Sequence, residues 1–135
     1  MTDQELAEDI AEFLRSEGYR PTVDEDSDVI FKSEGRTYII QVDSRDPCFF
    51  RLIYPNFWSL ESDDERERAL EAASEANKVV KVAKIFLVRD DTWASIELFC
   101  EDRESYKVLL TKSIGALQAG VHHYVKLMKG EAGED

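Results

Sequence analysis

The sequence predicts an α+β domain in which helices pack on one face of an antiparallel sheet, in the order α-ββββ-α-ββ-α. Three segments carry apolar residues at helical spacing, and the segments between them alternate apolar and polar residues as half-buried strands do. The strands come in runs joined by short turns, which favours antiparallel neighbours over the βαβ units of a nucleotide-binding fold. A chain of 135 residues has the usual size of one domain. We expect that domain over 1–129, followed by a flexible acidic tail over 130–135.

The first helix is predicted over 3–17. Thr2 and Glu5 form a T-x-x-E capping box, in which each side chain accepts a hydrogen bond from the other residue's backbone N–H. Gly18 ends the helix because glycine readily adopts the positive φ of a helix terminus. The apolar stripe of this helix consists of Leu6, Ile10, Phe13 and Leu14.

Four short strands should follow as an antiparallel meander. Gly35 supplies the positive φ of the hairpin turn between the second and third strands. Pro55 ends the fourth strand because proline has no N–H to donate to a neighbour. The predicted strands cover 19–23, 29–32, 37–42 and 48–54.

Two more helices enclose a final pair of strands. Ser62 and Glu65 form a second capping box. The stripe expected to be buried on this second helix is Ala69, Leu70, Ala73 and Ala76. Strands over 81–89 and 92–101 then meet at the turn Asp90–Asp91. A long third helix covers about 102–129, with an apolar face of Leu110, Ile114, Leu117, Val121, either Tyr124 or Val125, and Met128.

The charge balance excludes several kinds of partner. The chain has 29 acidic residues against 17 basic ones, a net charge of -12. Binding to nucleic acid requires basic side chains that neutralise phosphates, and anionic membranes repel such a chain, so we expect neither partner. No apolar run is long enough to span a bilayer, and the N-terminus is acidic, so a cytoplasmic location is expected. Cys48 and Cys100 should then be reduced thiols.

The sequence contains no recognisable catalytic or metal-binding motif. Asp24, Asp26 and Asp28 match the start of a calcium loop, but Val29 and Gly35 occupy positions where that loop requires glycine and glutamate. His122–His123 are adjacent, so on a helix they point about 100° apart and cannot form the i, i+4 pair of many metal sites. No nucleophile elbow or phosphate-binding loop is present. We therefore expect no enzymatic activity, no metal and no cofactor.

Alternation along two strands predicts a sheet face that presents aromatic groups. In the strand over 92–101, Ala94, Ile96, Leu98 and Cys100 fall on the core face, which leaves Trp93 and Phe99 on the opposite face. In the strand over 48–54, Cys48, Phe50, Leu52 and Tyr54 form the core set. Phe57 and Trp58 are expected either at the rim of the outward face or against the start of the second helix. The candidate residues for binding a protein partner, or a second copy of the chain, are Phe49, Arg51, Ile53, Phe57, Trp58, Trp93 and Phe99.

A rival hypothesis is a small-ligand or enzymatic pocket between the sheet and the helices. Such a site needs several polar groups that converge in an apolar cleft. Nothing in the spacing of the available polar side chains indicates this convergence. The candidates are Tyr38, Arg51, Tyr54, Tyr106 and His123.

Three segments and the helix that follows them carry a family resemblance. "VIFKSEGRTYIIQVDSRDPCFFRLIYP", "ALEAASEANKVVKVAKIFLV" and "ASIELFC", before the long amphipathic helix, resemble the YbjN family and, more distantly, the type III secretion chaperone-like fold. The resemblance extends over almost the whole chain but includes no catalytic signature. It implies a non-enzymatic, protein-binding or regulatory domain. Chaperones of this fold are typically homodimers that bind an extended segment of a client protein, so a homodimer is also implied.

Overall fold

The computed structural model describes residues 1–102 and 104–130, although not the side chain of Tyr106. Within these residues it contains three helices and one six-stranded antiparallel sheet in the predicted order α-ββββ-α-ββ-α, which confirms the fold class. The helices are α1 (Asp3–Ser16), α2 (Asp63–Val79) and α3 (Ser105–Met128). The strands are β1 (Thr22–Val23), β2 (Val29–Ser33), β3 (Arg36–Gln41), β4 (Phe49–Tyr54), β5 (Ala83–Val88) and β6 (Asp91–Phe99).

The order of strands across the sheet is β1-β2-β3-β4-β6-β5. The first four strands form the predicted meander, and β6 then pairs with β4, with Leu52 opposite Ile96 and Phe49 opposite Phe99. The hairpin between β5 and β6 therefore places β6 inside the sheet and β5 at its edge. The two strands with the strongest apolar alternation, β4 and β6, become neighbours near the centre of the sheet.

All three helices lie on one face of the sheet. Phe31 of β2 packs against Tyr19 just after α1, and Tyr38 of β3 accepts a hydrogen bond from Gln118 of α3. On α3 the predicted apolar face is confirmed, and Tyr124 rather than Val125 is the buried alternative. We call the opposite face, which none of the described helices covers, the open face. The strand residues that face the helices and are fully buried include Val29, Phe31, Tyr38, Ile40, Leu52, Ile85 and Ile96.

The two predicted capping boxes form to different extents. At α1 both hydrogen bonds are present: the Glu5 N–H donates to Thr2 Oγ1 at 3.1 Å, and the Thr2 N–H donates to Glu5 Oε1 at 2.8 Å. At α2 the Glu65 N–H donates to Ser62 Oγ at 3.0 Å. The Glu65 carboxylate, however, accepts from the Glu61 N–H at 2.8 Å. The second box is therefore half formed, and its carboxylate holds the preceding loop.

The predicted buried stripe of α2 is wrong at one position. Leu70 is 57% exposed, whereas the buried residues of α2 are alanines at 69, 72, 73 and 76. Leu70 follows Ala69 and therefore points about 100° away around the helix axis. Because α2 packs against both α3 and β5, side chains as small as alanine allow the helix backbone to lie close to both neighbours.

The backbone at the β5 edge of the sheet is bonded by a side chain from α2. Asn77 Oδ1 accepts a hydrogen bond from the Ile85 N–H at 2.8 Å, and Asn77 Nδ2 donates to the Ile85 carbonyl at 3.0 Å. A neighbouring strand would form the same two bonds. The outward-facing backbone of Ile85 is thus satisfied without a further strand.

Two further sequence predictions concern the C-terminal tail and membrane-spanning segments. Of the predicted acidic tail over 130–135, Gly130 is described and 131–135 lie outside the described residues. Among the helices of the described ranges, none has the length and hydrophobicity needed to cross a membrane.

Candidate protein-binding surface

One end of the open face carries a pair of phenylalanines. Phe49 of β4 and Phe99 of β6 are directly opposite in the register, with ring centroids 5.6 Å apart. Phe99 is 75% exposed. The Arg51 guanidinium lies 5.3 Å from the Phe49 ring centroid. Of the predicted contact residues, these three therefore lie together, and Phe99 offers the most accessible apolar surface.

A polar row crosses the open face beside the phenylalanines. Arg51 Nη1 donates to Gln41 Oε1 at 3.1 Å, and Arg51 Nη2 lies 3.4 Å from Glu97 Oε1. Glu97 Oε2 also lies 3.1 Å from Lys84 Nζ and accepts from Ser95 Oγ at 3.0 Å. Partial burial acts to raise the pKa of Glu97, but the hydrogen bonds from Lys84 and Ser95 and the charge of Arg51 outweigh it, so the pKa is lowered. The row is a hydrogen-bonded network in which Arg51 and Lys84 share the one carboxylate of Glu97, so the three charges leave a net positive charge.

The next row of the open face is apolar but largely enclosed. Ile30, Ile39 and Ile53 are consecutive partners across β2, β3 and β4, and Ser95 of β6 continues the row. Ile53 is 4% exposed and Ser95 is 1% exposed. The predicted contact residue Ile53 therefore lies on the open face but is buried by its neighbours, so it presents little surface to a partner.

A second aromatic pair lies at the other end of the open face. Trp93 of β6 is opposite Phe86 of β5, with ring centroids 6.3 Å apart. The indole N–H of Trp93 donates to Asn56 Oδ1 at 2.9 Å, and Lys84 Nζ lies 5.5 Å from the Phe86 ring centroid. Phe86 was missing from the predicted set. The alternation of Lys84, Phe86 and Val88 along β5 was the signal that could have identified it.

Phe57 and Trp58 do not lie at the rim of the open face. Their ring centroids are 5.7 and 6.3 Å from that of Tyr124, which is fully buried on α3. The indole N–H of Trp58 donates to Glu65 Oε2 at 2.9 Å, which ties the loop to the first turn of α2. The second of the two predicted placements, against the start of the second helix, is the one observed.

The residues proposed for a ligand pocket are dispersed. Tyr38 and Tyr54 are neighbours on the helix side, with ring centroids 5.3 Å apart, but Arg51 lies on the open face. His123 lines a hollow beside α3 that neither tyrosine lines, and the Tyr106 side chain lies outside the described part of the chain. Within the described residues no group of His, Cys, Asp or Glu side chains is arranged to hold a metal ion.

The two cysteines occupy facing positions next to the phenylalanine pair. The Cys100 N–H donates to the Cys48 carbonyl at 2.6 Å, which extends the pairing of β4 and β6 by one residue. Both thiols are free. Burial, and secondarily the neighbouring Cys48, raises the pKa of the Cys100 thiol. Cys100 is thus protonated at neutral pH and weakly nucleophilic.

Comparison with known proteins supports the fold. A chain from the "Structure of the HopA1-SchA Chaperone-Effector Complex" superposes with a TM-score of 0.53 at 14% identity, over 96% of this chain and 95% of that chain. The two chains therefore share a fold. No family model matches the sequence, and no match among the curated proteins was found. At this identity the likeness establishes the fold alone.

Proposed function

We propose that the protein is a non-enzymatic, chaperone-like module that binds an extended segment of a partner protein on its open face. One observation carries the proposal: a sheet face that no described helix covers presents two aromatic pairs, Phe49 with Phe99 and Phe86 with Trp93. Aromatic residues are enriched where proteins bind one another. The likeness in fold to a chain of a chaperone-effector complex supports the same function. The sequence resemblance to the YbjN family, to which we propose that this chain is related, supports it as well.

The spacing of the two aromatic pairs fits an extended segment. Trp93 and Phe99 are six residues apart on one strand, which corresponds to about 20 Å. A bound segment of about six extended residues would reach from one pair to the other. Between them it would cross the polar row, where Arg51 and Glu97 offer a donor and an acceptor.

We also propose a second copy of the chain as an alternative occupant of the open face. The protein would then be a homodimer in the cytoplasm. The same aromatic pairs, in which Phe99 is exposed and the other three rings are half-buried, carry this candidate, because dimer interfaces commonly bury such groups. Light scattering of the purified protein at several concentrations tests it. A molar mass of twice 15.5 kDa, lost in the Phe49→Asp, Trp93→Asp double variant, would assign the open face to self-association.

Affinity capture followed by mass spectrometry tests the partner hypothesis. We expect a reproducible protein partner that the wild type captures and the Phe49→Asp, Trp93→Asp variant does not. Val108→Asp is the matched control, because Val108 is 83% exposed on α3 and lies on the helix side. Hydrogen exchange on the recovered complex should then show protection in β4 and β6. A partner that the double variant retains would contradict the proposal.

A further inference from the structure

A groove lies beside α3 on the helix side of the molecule, away from the open face. It consists of two adjoining hollows of about 290 and 480 Å³, which share Lys81 and Ala116 as lining residues. We call the two together the α3 groove. None of the residues assigned to the open face lines it, so a role for this groove is independent of the function proposed above.

The lining of the α3 groove is largely apolar. Leu98 and Leu109 line the first hollow, and Val79 and Val80 line the second. At its edge Val79 and Val82 are 58% and 61% exposed. These side chains form an apolar surface that the described part of the chain leaves uncovered.

The backbone holds Val82 at the groove in an unfavourable conformation. Its φ is +54°, and the Ala83 N–H donates to the Lys81 carbonyl at 2.6 Å across it, as in a γ-turn. Positive φ is sterically costly for a β-branched residue. Glycine would fit this turn better, so Val82 places its side chain at the groove at a conformational cost.

The charges that line the α3 groove are all positive. Of the residues that the structure describes, Lys81, Lys112 and Lys126 contribute charge to its walls, and no aspartate or glutamate does. Among the described residues these three lysines form no ion pair, whereas Lys84 and Lys107 do. In a chain with a net charge of -12, a groove whose described charged lining residues are all lysines differs from the overall charge balance.

We propose that the α3 groove binds an acidic amphipathic segment of a partner protein. Apolar side chains of the segment contact the leucines and valines, and its carboxylates pair with the three lysines. Lys112 and Lys126 are 14 positions apart on α3, or about 21 Å along the helix axis. Charges spread over that length match several carboxylates on one polypeptide, whereas an amphiphile with a single acidic head group could pair with one end alone.

Fluorescence anisotropy with a pair of designed peptides tests this. The first is a labelled amphipathic peptide of about 14 residues, with leucines on one helical face and glutamates on both flanks. In the second, lysines replace the glutamates. We expect the acidic peptide to bind and the basic peptide not to bind, and the binding to weaken as salt is added.

Charge-reversed protein then identifies the surface. Lys112→Glu with Lys126→Glu should weaken binding of the acidic peptide by about tenfold or more and create binding of the basic peptide. Val82→Gly should also weaken binding while the protein remains folded, because glycine accepts the positive φ. The control variants are Lys32→Glu and Phe99→Asp, which change the sheet and not the groove, and should leave peptide binding unchanged.

The proposal would be overturned by no binding of the acidic peptide, by equal binding of both peptides, or by binding unaffected by the lysine reversals. Loss of binding in Phe99→Asp would place the peptide on the open face instead. Because partner capture by the open face is measured separately with Phe49→Asp and Trp93→Asp, either proposal can fail without the other.

Discussion

The phenol of Tyr124 on α3 donates its hydrogen bond to the hydroxyl of Thr92 on β6. The two oxygens are 3.1 Å apart, and Thr92 Oγ1 also lies 3.0 Å from the Trp58 carbonyl oxygen. A threonine hydroxyl has one proton, which the carbonyl requires, so the tyrosine is the donor to Thr92. Both side chains are fully buried. The relay thus joins α3, β6 and the loop before α2 at one point.

Removing the two hydroxyls of this relay one at a time should lower the free energy of unfolding by different amounts. Tyr124→Phe removes one hydrogen bond, at an expected cost of about 1 kcal/mol in the free energy of unfolding. Thr92→Val leaves both the phenol and the Trp58 carbonyl without a partner, so its cost should be larger, about 2–3 kcal/mol. Urea denaturation of both variants and the double variant measures the coupling. Additive losses would show that the two hydroxyls are not coupled.

Stability should fall in alkaline solution because of two buried tyrosines. Burial raises the pKa of Tyr124 and of Tyr38 above the ordinary value of 10.0. Phenols of the unfolded chain ionise first as the pH rises, so stability present below about pH 10 is lost as the pH rises through the folded-state pKa. Urea denaturation at about pH 8 and about pH 11 should show a smaller loss in the Tyr38→Phe, Tyr124→Phe variant than in the wild type. An equal loss in both proteins would contradict this assignment.

Two glycines of α3 should respond oppositely to alanine. A Cβ on Gly115 has no neighbour within 4 Å, whereas one on Gly120 would lie 3.1 Å from Ala83 Cβ. Gly115→Ala should therefore stabilise the protein by about 0.5–1 kcal/mol through helix propensity. Gly120→Ala should forfeit that gain and reduce stability, because α3 must move away from β5. Thermal unfolding of both variants checks this. Equal melting temperatures would show that β5 can shift to accommodate the added Cβ without loss of stability.

Removal of the Asn77 amide should weaken the edge of the sheet. Asn77→Ala leaves the Ile85 N–H and carbonyl without their partners, at an expected cost of about 1–2 kcal/mol. Asn77→Asp keeps the acceptor but places a carboxylate oxygen against the Ile85 carbonyl, so it should be at least as destabilising. Light scattering during mild heating should also show earlier aggregation of Asn77→Ala. A control is Asn56→Ala, which removes a hydrogen bond to Trp93 instead. If Asn77→Ala and Asn56→Ala behave alike, the amide has no special role at the edge.

Periodicity in the sequence was sufficient for the fold and for the faces of the central strands. The side-chain alternation of β4 and β6 assigned Phe50 and Ile96 to the core, because a strand buried on one face must alternate. Side-chain alternation could not be used to place the residues after Pro55. Phe57 and Trp58 lie in a loop without a period, so their contact with Tyr124 depended on a tertiary arrangement that no local pattern encodes.

The degree to which a residue on a given face is buried could not be predicted from the sequence either. Alternation places Ile53 on the open face but cannot show that the adjacent strands enclose it. In α2, both Leu70 and Ala69 fit an apolar stripe, and the close approach of α3 decides in favour of alanine. The α3 groove could not be predicted because Val82, Leu98 and Lys112 come from three separate segments, and lysines on a long helix are typical of an ordinary solvated surface.

The Asn77 amide has a consequence for how copies of this protein can associate. A sheet with an uncovered aromatic face and an available backbone edge could add copies side by side without limit, which is the route to fibrous aggregates. Here the Ile85 position of that edge is already occupied from within the chain. At this position a strand of another copy cannot pair with the backbone, so contact there is left to side chains.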